Sequence, residues 1–215
     1  TSAKNYWSAM EKSPSTYLWS DYNKLKGDAS NTPGHVYYTY GRLLTMAQAY
    51  CYEGRLYHDE ELLNDIVAGL DFMYEYAFNE NTSRIGNFWE WHMGTPDYYA
   101  RIVSLLYDVL PQRVKTNYFN TIVAQLRNFV ERGNYTYGNQ ATACVRLLYC
   151  GVLCNSAEDI DIALRSLVRA FVDKTTVSQR KTAQAEFEKL WKAQGDYHDY
   201  MPAIGKKSRR PSGLR

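Results

Sequence analysis

The sequence contains no apolar stretch that approaches the roughly 20 residues needed to cross a membrane. Residues 1–10 also lack the apolar centre of a secretory signal peptide. A mature exported chain and a fragment cut from a longer chain would both begin in this way. These absences predict a protein without a membrane partner, and its 215 residues suffice for one domain with a substantial core.

The net charge is also small, because 25 lysines and arginines nearly balance 23 aspartates and glutamates and leave +2. Nucleic-acid-binding domains carry a strongly basic surface, so we expect no nucleic-acid partner. Much of the positive charge lies in a final run that predicts a disordered end. An acidic glycan would fit this near-neutral chain only if a few cations gather in one groove. The final run contains Lys206, Lys207, Arg209, Arg210 and Arg215.

Cysteine is scarce, and its spacing does not suit a metal site. The four cysteines form no Cys-x-x-Cys pair and have no histidine at zinc-ligand spacing, so we expect no metal. Cys150 and Cys154 share one face of a predicted helix, whereas Cys144 lies nearly opposite Cys154. Cys51 is far from them in sequence. Buried free thiols are the default expectation, and one disulfide bridge is the alternative if the protein is exported.

Strand alternation is absent as well, whereas helical periodicity recurs along the chain. Leu43, Met46, Ala47 and Tyr50 follow the i, i+3, i+4, i+7 spacing of a helix with one buried face. The sequence therefore predicts an all-α fold of about seven helices that pack as antiparallel hairpins. Further stripes are Leu63/Val67/Leu70/Tyr74, Ile102/Leu105/Leu106/Val109, Tyr118/Ile122/Leu126/Phe129, Ala141/Cys144/Val145/Leu148 and Ile160/Ala163/Leu164/Leu167/Phe171.

Capping residues and prolines predict where several helices begin. Asp59 precedes two glutamates and is expected to cap the following helix. Thr95 and Pro96 suit the cap and first turn of another helix, and Ser156 suits a further start. No fixed-period repeat occurs. Periodicity alone therefore leaves open whether the hairpins stack as a solenoid or curve into an α/α toroid.

Aromatic residues are abundant at 15%, with 20 tyrosines and five tryptophans. Most are expected in the core, but residues 86–96 concentrate rings where neither periodicity holds, and we predict a loop there. Large rings in a loop cost solvation free energy unless they pack or bind a ligand. An aromatic floor with an amide donor suits the apolar face and polar edges of a sugar. The alternative is a plug that seals the helical core.

From residue 87 this segment reads Asn-Phe-Trp-Glu-Trp-His-Met-Gly-Thr-Pro. It resembles the Asn-Trp-Trp-Asp/Glu-x-Glu-Ile-Gly-x-Pro signature of family 8 polysaccharide lyases, which include hyaluronate, chondroitin AC and xanthan lyases. Similar segments in the same order extend the resemblance from about residue 6 to about residue 172. It implies an incomplete α/α toroid that forms one wall of a long cleft, lined by Asn87, Phe88 and Trp89. Phe88 replaces the usual first tryptophan and lacks the indole N–H donor.

A second segment, Tyr-Gly-Asn-Gln at residues 137–140, is similar to the family's Thr-Gly-Ala-Asn motif. The resemblance implies that Asn139 contacts the uronate carboxylate. β-Elimination removes the proton next to that carboxylate, and a neutral amide donor there stabilises the developing anion. A common turn and helix cap is the alternative role of Asn139. We predict that Phe88 and Trp89 lie within contact distance of Asn139, on one side of the helical layer.

The family's next catalytic motif has no full counterpart. Family members continue with Asp-Gly/Tyr-Ser-Phe/Tyr-x-Gln-His, then a tyrosine and an arginine. The histidine and the tyrosine that follows it transfer protons. Gln194, Asp196 and Tyr197 resemble its opening, but the family histidine would fall at Pro202. His198 lies two positions after Asp196 and is not carried over. The remaining histidines, expected at the surface or with partners in the fold, are His35, His58 and His92.

The sequence thus predicts a partial toroid lyase domain over residues 1–193 and a basic, disordered tail over residues 194–215. The resemblance implies a secreted lyase that acts on a uronate-containing anionic polysaccharide such as hyaluronan or chondroitin, without cofactor or metal. The isolated chain is expected to be catalytically incomplete. A non-catalytic carbohydrate-binding helical module and a helical protein-interaction scaffold are the alternatives. The predicted last helix would leave Phe187 and Trp191 without neighbours, so we expect self-association through an open toroid edge.

Overall fold

A computed structural model describes residues 2–26, 34–133 and 137–172. These residues form helices and connecting loops without a strand, which confirms the predicted all-α class. The predicted boundary at residue 193, the basic tail and the predicted last helix lie outside the described residues. The helices are α1 (Ser2–Ser8), α2 (His35–Cys51), α3 (Glu60–Tyr76), α4 (Thr95–Leu105), α5 (Gln112–Arg132), α6 (Tyr137–Leu153) and α7 (Ala157–Val172).

Helices α2 and α4 lie side by side and run in the same direction. Near their starts, the hydroxyls of Tyr37 and Tyr98 are 2.7 Å apart. Near their ends, the Cys51 thiol donates a hydrogen bond to the Leu105 carbonyl at 3.4 Å. Because both pairs join equivalent ends, the two helices are parallel.

Helix α3 returns against α2 as the second helix of a hairpin. The rings of Tyr40 and Phe78 are 6.0 Å apart, so the start of α2 meets the end of α3. The rings of Tyr50 and His58 are 5.2 Å apart, so the end of α2 meets the start of α3. The two helices are therefore antiparallel.

Helices α5, α6 and α7 continue the alternation. The Gln140 amide donates to the Val130 carbonyl at 2.9 Å, and the Cys154 thiol approaches the Lys115 carbonyl at 4.0 Å, so α6 runs against α5. The Ser166 hydroxyl donates to the same Val130 carbonyl at 2.8 Å, which places the second half of α7 beside the end of α5. Helix α7 therefore runs against α6.

Within the described residues, α2–α3, α4–α5 and α6–α7 form antiparallel hairpins. This is the predicted arrangement of an incomplete α/α toroid, and it brings the starts of α2, α4 and α6 to one end. We call this the upper end and the opposite one the lower end. The described residues up to Ala170 belong to one compact unit, and the last two residues of α7 belong to a second.

The stripe predicted for α2 is confirmed, because all four of its residues are buried. The stripe predicted for α5 is confirmed at Tyr118, Ile122 and Leu126, whereas parts of the other stripes differ from the prediction. Leu63 and Val145 are only half-buried, Leu164 is exposed, and Val109 lies exposed beyond the end of α4. A helix between several neighbours buries a wide arc, and its apolar residues alone do not fix the centre of that arc. The buried residues found instead include Leu62, Ile66 and Met73 in α3, Ala143 and Leu147 in α6, and Ile162 and Ser166 in α7.

Two predicted helix starts are confirmed. The Asp59 side chain accepts a hydrogen bond from the Leu62 N–H at 3.0 Å and so caps α3. The Ser156 hydroxyl accepts from the Asp159 N–H at 3.4 Å at the start of α7. At the end of α5, Gly133 adopts the left-handed conformation, with φ of 70°, that ends many helices.

The four cysteines are free thiols, and Cys144 and Cys150 are buried while Cys51 and Cys154 are half-buried. This agrees with the default expectation of free thiols. Burial raises the pKa of Cys144, which keeps this thiol protonated and unreactive at neutral pH. None of the described helices combines the length and the apolar composition that a membrane span requires.

Candidate functional site

The aromatic segment at residues 87–96 lies at the upper end and is helical, so the predicted loop is wrong. Asn87 starts the helix, because its side-chain oxygen accepts a hydrogen bond from the Trp89 N–H at 2.7 Å. A π-helical turn follows at Glu90–Gly94 and continues directly into α4. Its i→i−5 hydrogen bond joins the Thr95 N–H to the Glu90 carbonyl. Thr95 is therefore inside a helix and does not act as the predicted cap.

The π turn separates buried from exposed side chains. Trp91 is buried, donates from its indole Nε1 to the Gln125 side-chain oxygen at 2.9 Å, and meets the Phe78 ring edge-on at 4.8 Å. Phe88 and Trp89, by contrast, are 36% and 44% exposed. The segment thus seals the core with one side and presents two rings to solvent with the other. Trp91 fits the plug expected from the sequence, whereas the sugar-binding floor stays a prediction for the exposed rings of Phe88 and Trp89.

Trp89 is held in place by its neighbours. Its ring meets the Tyr37 ring edge-on, with centroids 5.9 Å apart. It also packs against Gly94, where a Cβ would lie 3.1 Å from the Trp89 ring and 2.6 Å from the Tyr37 ring. A side chain at position 94 would therefore displace both rings. The hydroxyl of Tyr37 in turn forms a hydrogen bond with the hydroxyl of Tyr98. The position of Trp89 therefore depends on residues of both α2 and α4.

Asn139 lies in the first turn of α6 and is half-buried. Helix α6 is fixed to the aromatic segment because Arg146 forms an ion pair with Asp97 at 3.1 Å and approaches the Met93 carbonyl at 3.4 Å. Because α6 is parallel to α4, Asn139 and Trp89 both belong to the upper end. Within the described residues, the Asn139 amide makes no hydrogen bond that would occupy it structurally.

Helix polarity at the upper end favours an anion. The starts of α2 and α6 carry the partial positive charge of a helix N-terminus. One start is already matched by a protein carboxylate. Glu90 lies against Gly34 at the start of α2, where a Cβ would be only 2.5 Å from the carboxyl carbon. The start of α6, which carries Asn139, has no acidic residue in its first turn.

Two arginines at the upper end form ion pairs with aspartates. Arg42 forms a bidentate ion pair with Asp21 at 2.8 and 2.5 Å, and Arg146 is paired with Asp97. An acidic glycan was expected to need a few cations gathered in one groove, and these two arginines do not provide them because both are paired. Arg84 and Lys24 also lie at this end, where their charges lower the pKa values of His92 and His35, so the described residues offer cations as well as ring faces and neutral amides.

The cavity beside the segment is too small for a sugar. Gly34, Tyr37, Glu90 and Thr95 line a space of about 10 Å³, which suits about one water molecule.

His92 is the buried histidine of the segment. Burial and, to a smaller extent, the positive charge of Arg84 lower the pKa of His92 to about 4. Its ring packs against Phe129 with centroids 4.6 Å apart. This confirms the expectation of a histidine with partners in the fold. A buried, neutral imidazole is not placed to take a proton from a polysaccharide.

The other two described histidines do not supply an accessible base at the upper end either. His35 begins α2 there, but its Nδ1 accepts a hydrogen bond from the Lys24 N–H at 2.9 Å, so the neutral ring carries its proton on Nε2. Burial lowers the pKa of His35 and favours this neutral form. His58 lies at the lower end, between α2 and α3. Within the described residues, no three His, Cys, Asp or Glu side chains gather as a metal site would require.

Sequence reasoning missed several tyrosines that join this surface. Tyr37 supports Trp89, and Tyr38 next to it is exposed and stacks on Tyr22. A signal was available, because Tyr38 lies off the apolar stripe that Leu43 and Met46 define.

Comparison with known proteins shows the family to which the chain belongs. The sequence profile described as polysaccharide lyase family 8, N terminal alpha-helical domain, matches residues 1–180. The chain is 37% identical over 123 residues to a xanthan lyase of Bacillus sp., covering 56% of this chain and 13% of that protein. It is 29% identical over 186 residues to hyaluronate lyase HylB of Enterococcus faecalis, covering 75% of this chain and 18% of that protein.

Solved structures agree. The X-ray structure of Streptomyces coelicolor chondroitin AC lyase in complex with chondroitin sulphate matches with a TM-score of 0.70 and 29% identity, covering 78% of this chain and 22% of that one. Paenibacillus xanthan lyase matches with a TM-score of 0.68 and 27% identity, covering 77% and 15%. The chain thus spans less than a quarter of the length of these relatives. It belongs to polysaccharide lyase family 8 and corresponds to the N-terminal α-helical domain of that family.

Proposed function

We propose that this chain forms one wall of the substrate cleft of a lyase that cleaves a uronate-containing anionic polysaccharide, such as hyaluronan or chondroitin, by β-elimination. The observation that carries the proposal is the exposure of Phe88 and Trp89 at the upper end, where α6 also begins with Asn139. Relatives named as hyaluronate, xanthan and chondroitin AC lyases support this substrate class. Such polymers lie outside cells, so we also propose that the protein is secreted.

The binding residues in this proposal are Asn87, Phe88 and Trp89. The two rings stack on the apolar faces of sugar units, and their fixed positions limit the entropy lost on binding. The Asn87 side-chain oxygen is used as a helix cap, but its exposed NH₂ group remains available to donate to a sugar oxygen. Stacking and amide contacts suit the neutral parts of a polymer as well as its uronates.

Asn139 is the catalytic residue in this proposal. When the proton next to the uronate carboxylate leaves, negative charge spreads onto the carboxylate oxygens. An amide donor aimed there, together with the start of α6, binds this charge more strongly in the transition state than in the ground state. This geometry requires Asn139 within reach of a sugar stacked on Trp89, and the predicted contact of Phe88 and Trp89 with Asn139 would meet that requirement.

The first test of this proposal is direct binding of hyaluronan oligosaccharides by calorimetry. We expect Trp89→Ala to lower the affinity roughly 10- to 100-fold, because a central ring is removed. Asn139→Ala should lower it roughly three- to tenfold through one lost hydrogen bond. Tyr107→Ala is the matched control, since Tyr107 is similarly exposed but lies at the lower end, and it should bind like the wild type. Equal affinities for wild type and Trp89→Ala would refute the proposed cleft.

Turnover by this chain alone should be very low. A general base and a general acid each contribute roughly 10²–10⁴-fold, and neither His35 nor His92 is placed to act as the base. We expect little or no ultraviolet-absorbing unsaturated uronide from hyaluronan or chondroitin. Robust turnover lost in His35→Gln or His198→Ala would identify a base and contradict this expectation.

The absence of an accessible base among the described histidines also favours a second candidate, a non-catalytic carbohydrate-binding module. Both candidates predict the same effect of Trp89→Ala on binding. They differ in what they predict for Asn139→Ala when this chain is joined to the other segments of a family 8 lyase. If Asn139 is catalytic, the substitution lowers turnover more than it lowers affinity, and if the chain is only a binding module, it does not.

Self-association is proposed through the α6–α7 hairpin. Its outer side chains Tyr149, Val152, Leu164 and Val168 are exposed, and burial of such surface favours association. We expect concentration-dependent association in sedimentation equilibrium, reduced in the double variant Leu164→Lys/Val168→Lys. Val109→Lys, which alters an exposed valine elsewhere, should associate like the wild type. A wild-type monomer at all concentrations would contradict the proposal. Phe187 and Trp191, predicted to take part, lie outside the described residues.

A further inference from the structure

The aromatic surface at the upper end continues beyond Trp89. The centroid of Trp89 lies 5.9 Å from that of Tyr37, and Tyr37 lies 5.2 Å from Tyr38. Tyr38 in turn stacks on Tyr22 at 5.5 Å, with an interplanar angle of 28°. Rings at such separations are in direct contact. They connect the signature segment to the start of α2 and to the 3₁₀ turn at Ser20–Tyr22.

We propose that Tyr38, backed by Tyr22, is a second stacking surface that binds a further sugar unit of the polymer that crosses Trp89. This inference rests on the proposed function and extends it to a longer stretch of polysaccharide. Tyr38 is as exposed as Trp89, at 44% for each residue.

The two tyrosines of α2 have different roles. Tyr37 is built into the fold, through its hydroxyl bond to Tyr98 and its contact with Gly94. Tyr38 makes neither contact and points off the buried stripe of α2. Its ring lies against the neighbouring rings of Tyr37 and Tyr22. Tyr37 therefore links the two surfaces, and Tyr38 presents the second one.

The support behind Tyr38 is rigid. The Arg42 guanidinium lies 4.1 Å from the centroid of Tyr22 and is fixed by its two hydrogen bonds to Asp21. The Tyr22 N–H donates to the Trp19 carbonyl at 2.9 Å. A ring held in advance loses little conformational entropy when a ligand binds.

Two of the charged or ionisable groups near Tyr38 suit a neutral sugar unit there. Arg42 is neutralised by Asp21, and burial favours the neutral form of His35, whose ring lies 5.6 Å from Tyr22. Lys24 beside His35 is a positive charge in this region, and the salt dependence of binding tests its part. A stacked sugar would place its apolar face on Tyr38 and its hydroxyls near the Asp21–Arg42 pair. In an alternating polymer, the uronate would then fall to the Trp89 and Asn139 side and the neutral unit to Tyr38.

The test uses the full chain and hyaluronan oligosaccharides of increasing length, with affinity measured by calorimetry. We expect Tyr38→Ala to bind the shortest oligosaccharides like the wild type and the longer ones roughly three- to tenfold more weakly. Tyr38→Phe, which keeps the ring, should retain the affinity for long oligosaccharides. Trp89→Ala should weaken binding at every length.

Tyr52→Ala is the control, because Tyr52 follows the opposite end of α2 and is 60% exposed. It should bind every oligosaccharide like the wild type. The Tyr38 site is refuted if Tyr38→Ala binds all lengths like the wild type, or if Tyr52→Ala loses as much affinity. It is also refuted as a neutral-sugar site if the extra affinity of long oligosaccharides disappears in high salt, which would indicate a carboxylate there. A wild type that binds no oligosaccharide would instead refute the proposed function itself.

Discussion

Replacing Arg127 by methionine should lower the free energy of unfolding by about 3 kcal/mol, because it strands a buried carboxylate. Asp159 is fully buried at the start of α7. Arg127 of α5 donates to both of its oxygens, at 2.7 and 2.9 Å. Without the guanidinium, only the Ser156 hydroxyl, at 2.6 Å, would remain to satisfy the charge. Urea unfolding at neutral pH measures the loss, with an unchanged slope expected.

The matched control is Arg165→Met, which breaks an exposed ion pair with Asp161 on α7. Exposed pairs of this kind contribute little, so we expect a loss of about 0.5 kcal/mol or less. Arg127→Lys should fall between the two, because it keeps the charge and loses the bidentate geometry. Similar losses for Arg127→Met and Arg165→Met would show that the burial of Asp159 does not decide the effect.

Acid should destabilise this protein through His92. The pKa of His92 is about 4 in the fold and about 6.5 in an unfolded chain, so unfolding takes up a proton between these values. The unfolding free energy is then highest above pH 6.5 and falls as the pH drops towards 4. The total loss over this window is about 3 kcal/mol. The variant His92→Gln carries no titrating group and should lose correspondingly less stability on acidification.

The measurement is urea unfolding at several pH values between 4 and 7.5. His58→Asn serves as the control, because it removes an exposed histidine and asparagine tolerates the positive φ of 53° at that position. The control should keep the wild-type decline in acid. A decline of equal size in His92→Gln would assign the acid sensitivity to other groups.

Sequence periodicity predicted the helices well where one face meets the core. In α2, Leu43, Met46, Ala47 and Tyr50 are all buried, as the stripe indicated. Periodicity predicted the buried face of α6 less well, because this helix contacts α4 and α5 as well as α7. Ala143 and Leu147 are buried there, and Val145 is only half-buried. A pattern of apolar residues gives the period of a helix more reliably than the direction in which it packs.

The aromatic segment shows a different limit. Its apolar residues do not repeat at the α-helical period, because the Thr95 N–H bonds to the carbonyl five residues earlier, at Glu90, and the turn holds an extra residue. Neither the α-helical nor the strand period matches this spacing. The segment was therefore interpreted as a loop. The exposure of Phe88 and Trp89 was nevertheless anticipated, because the family resemblance depends on the residue types and their order.

The grouping of residues at the upper end required three dimensions. Tyr22, Tyr38 and Trp89 come from separate segments, and only the parallel course of α2 and α4 brings their rings into one surface. Likewise, the number of residues between Trp89 and Asn139 gives no indication that α4 and α6 begin at the same end. Hairpin topology supplies this information, and apolar spacing does not.

The π turn before α4 contains one residue more than an α-helical turn would need for the same hydrogen bond. Each residue of an α-helix advances the chain by about 100° around its axis. Deleting a single residue within Glu90–Gly94 would let an ordinary α-helix form, and it would swing the rings of Phe88 and Trp89 by about that angle. Gain or loss of one residue in this turn would thus change the direction in which Phe88 and Trp89 face.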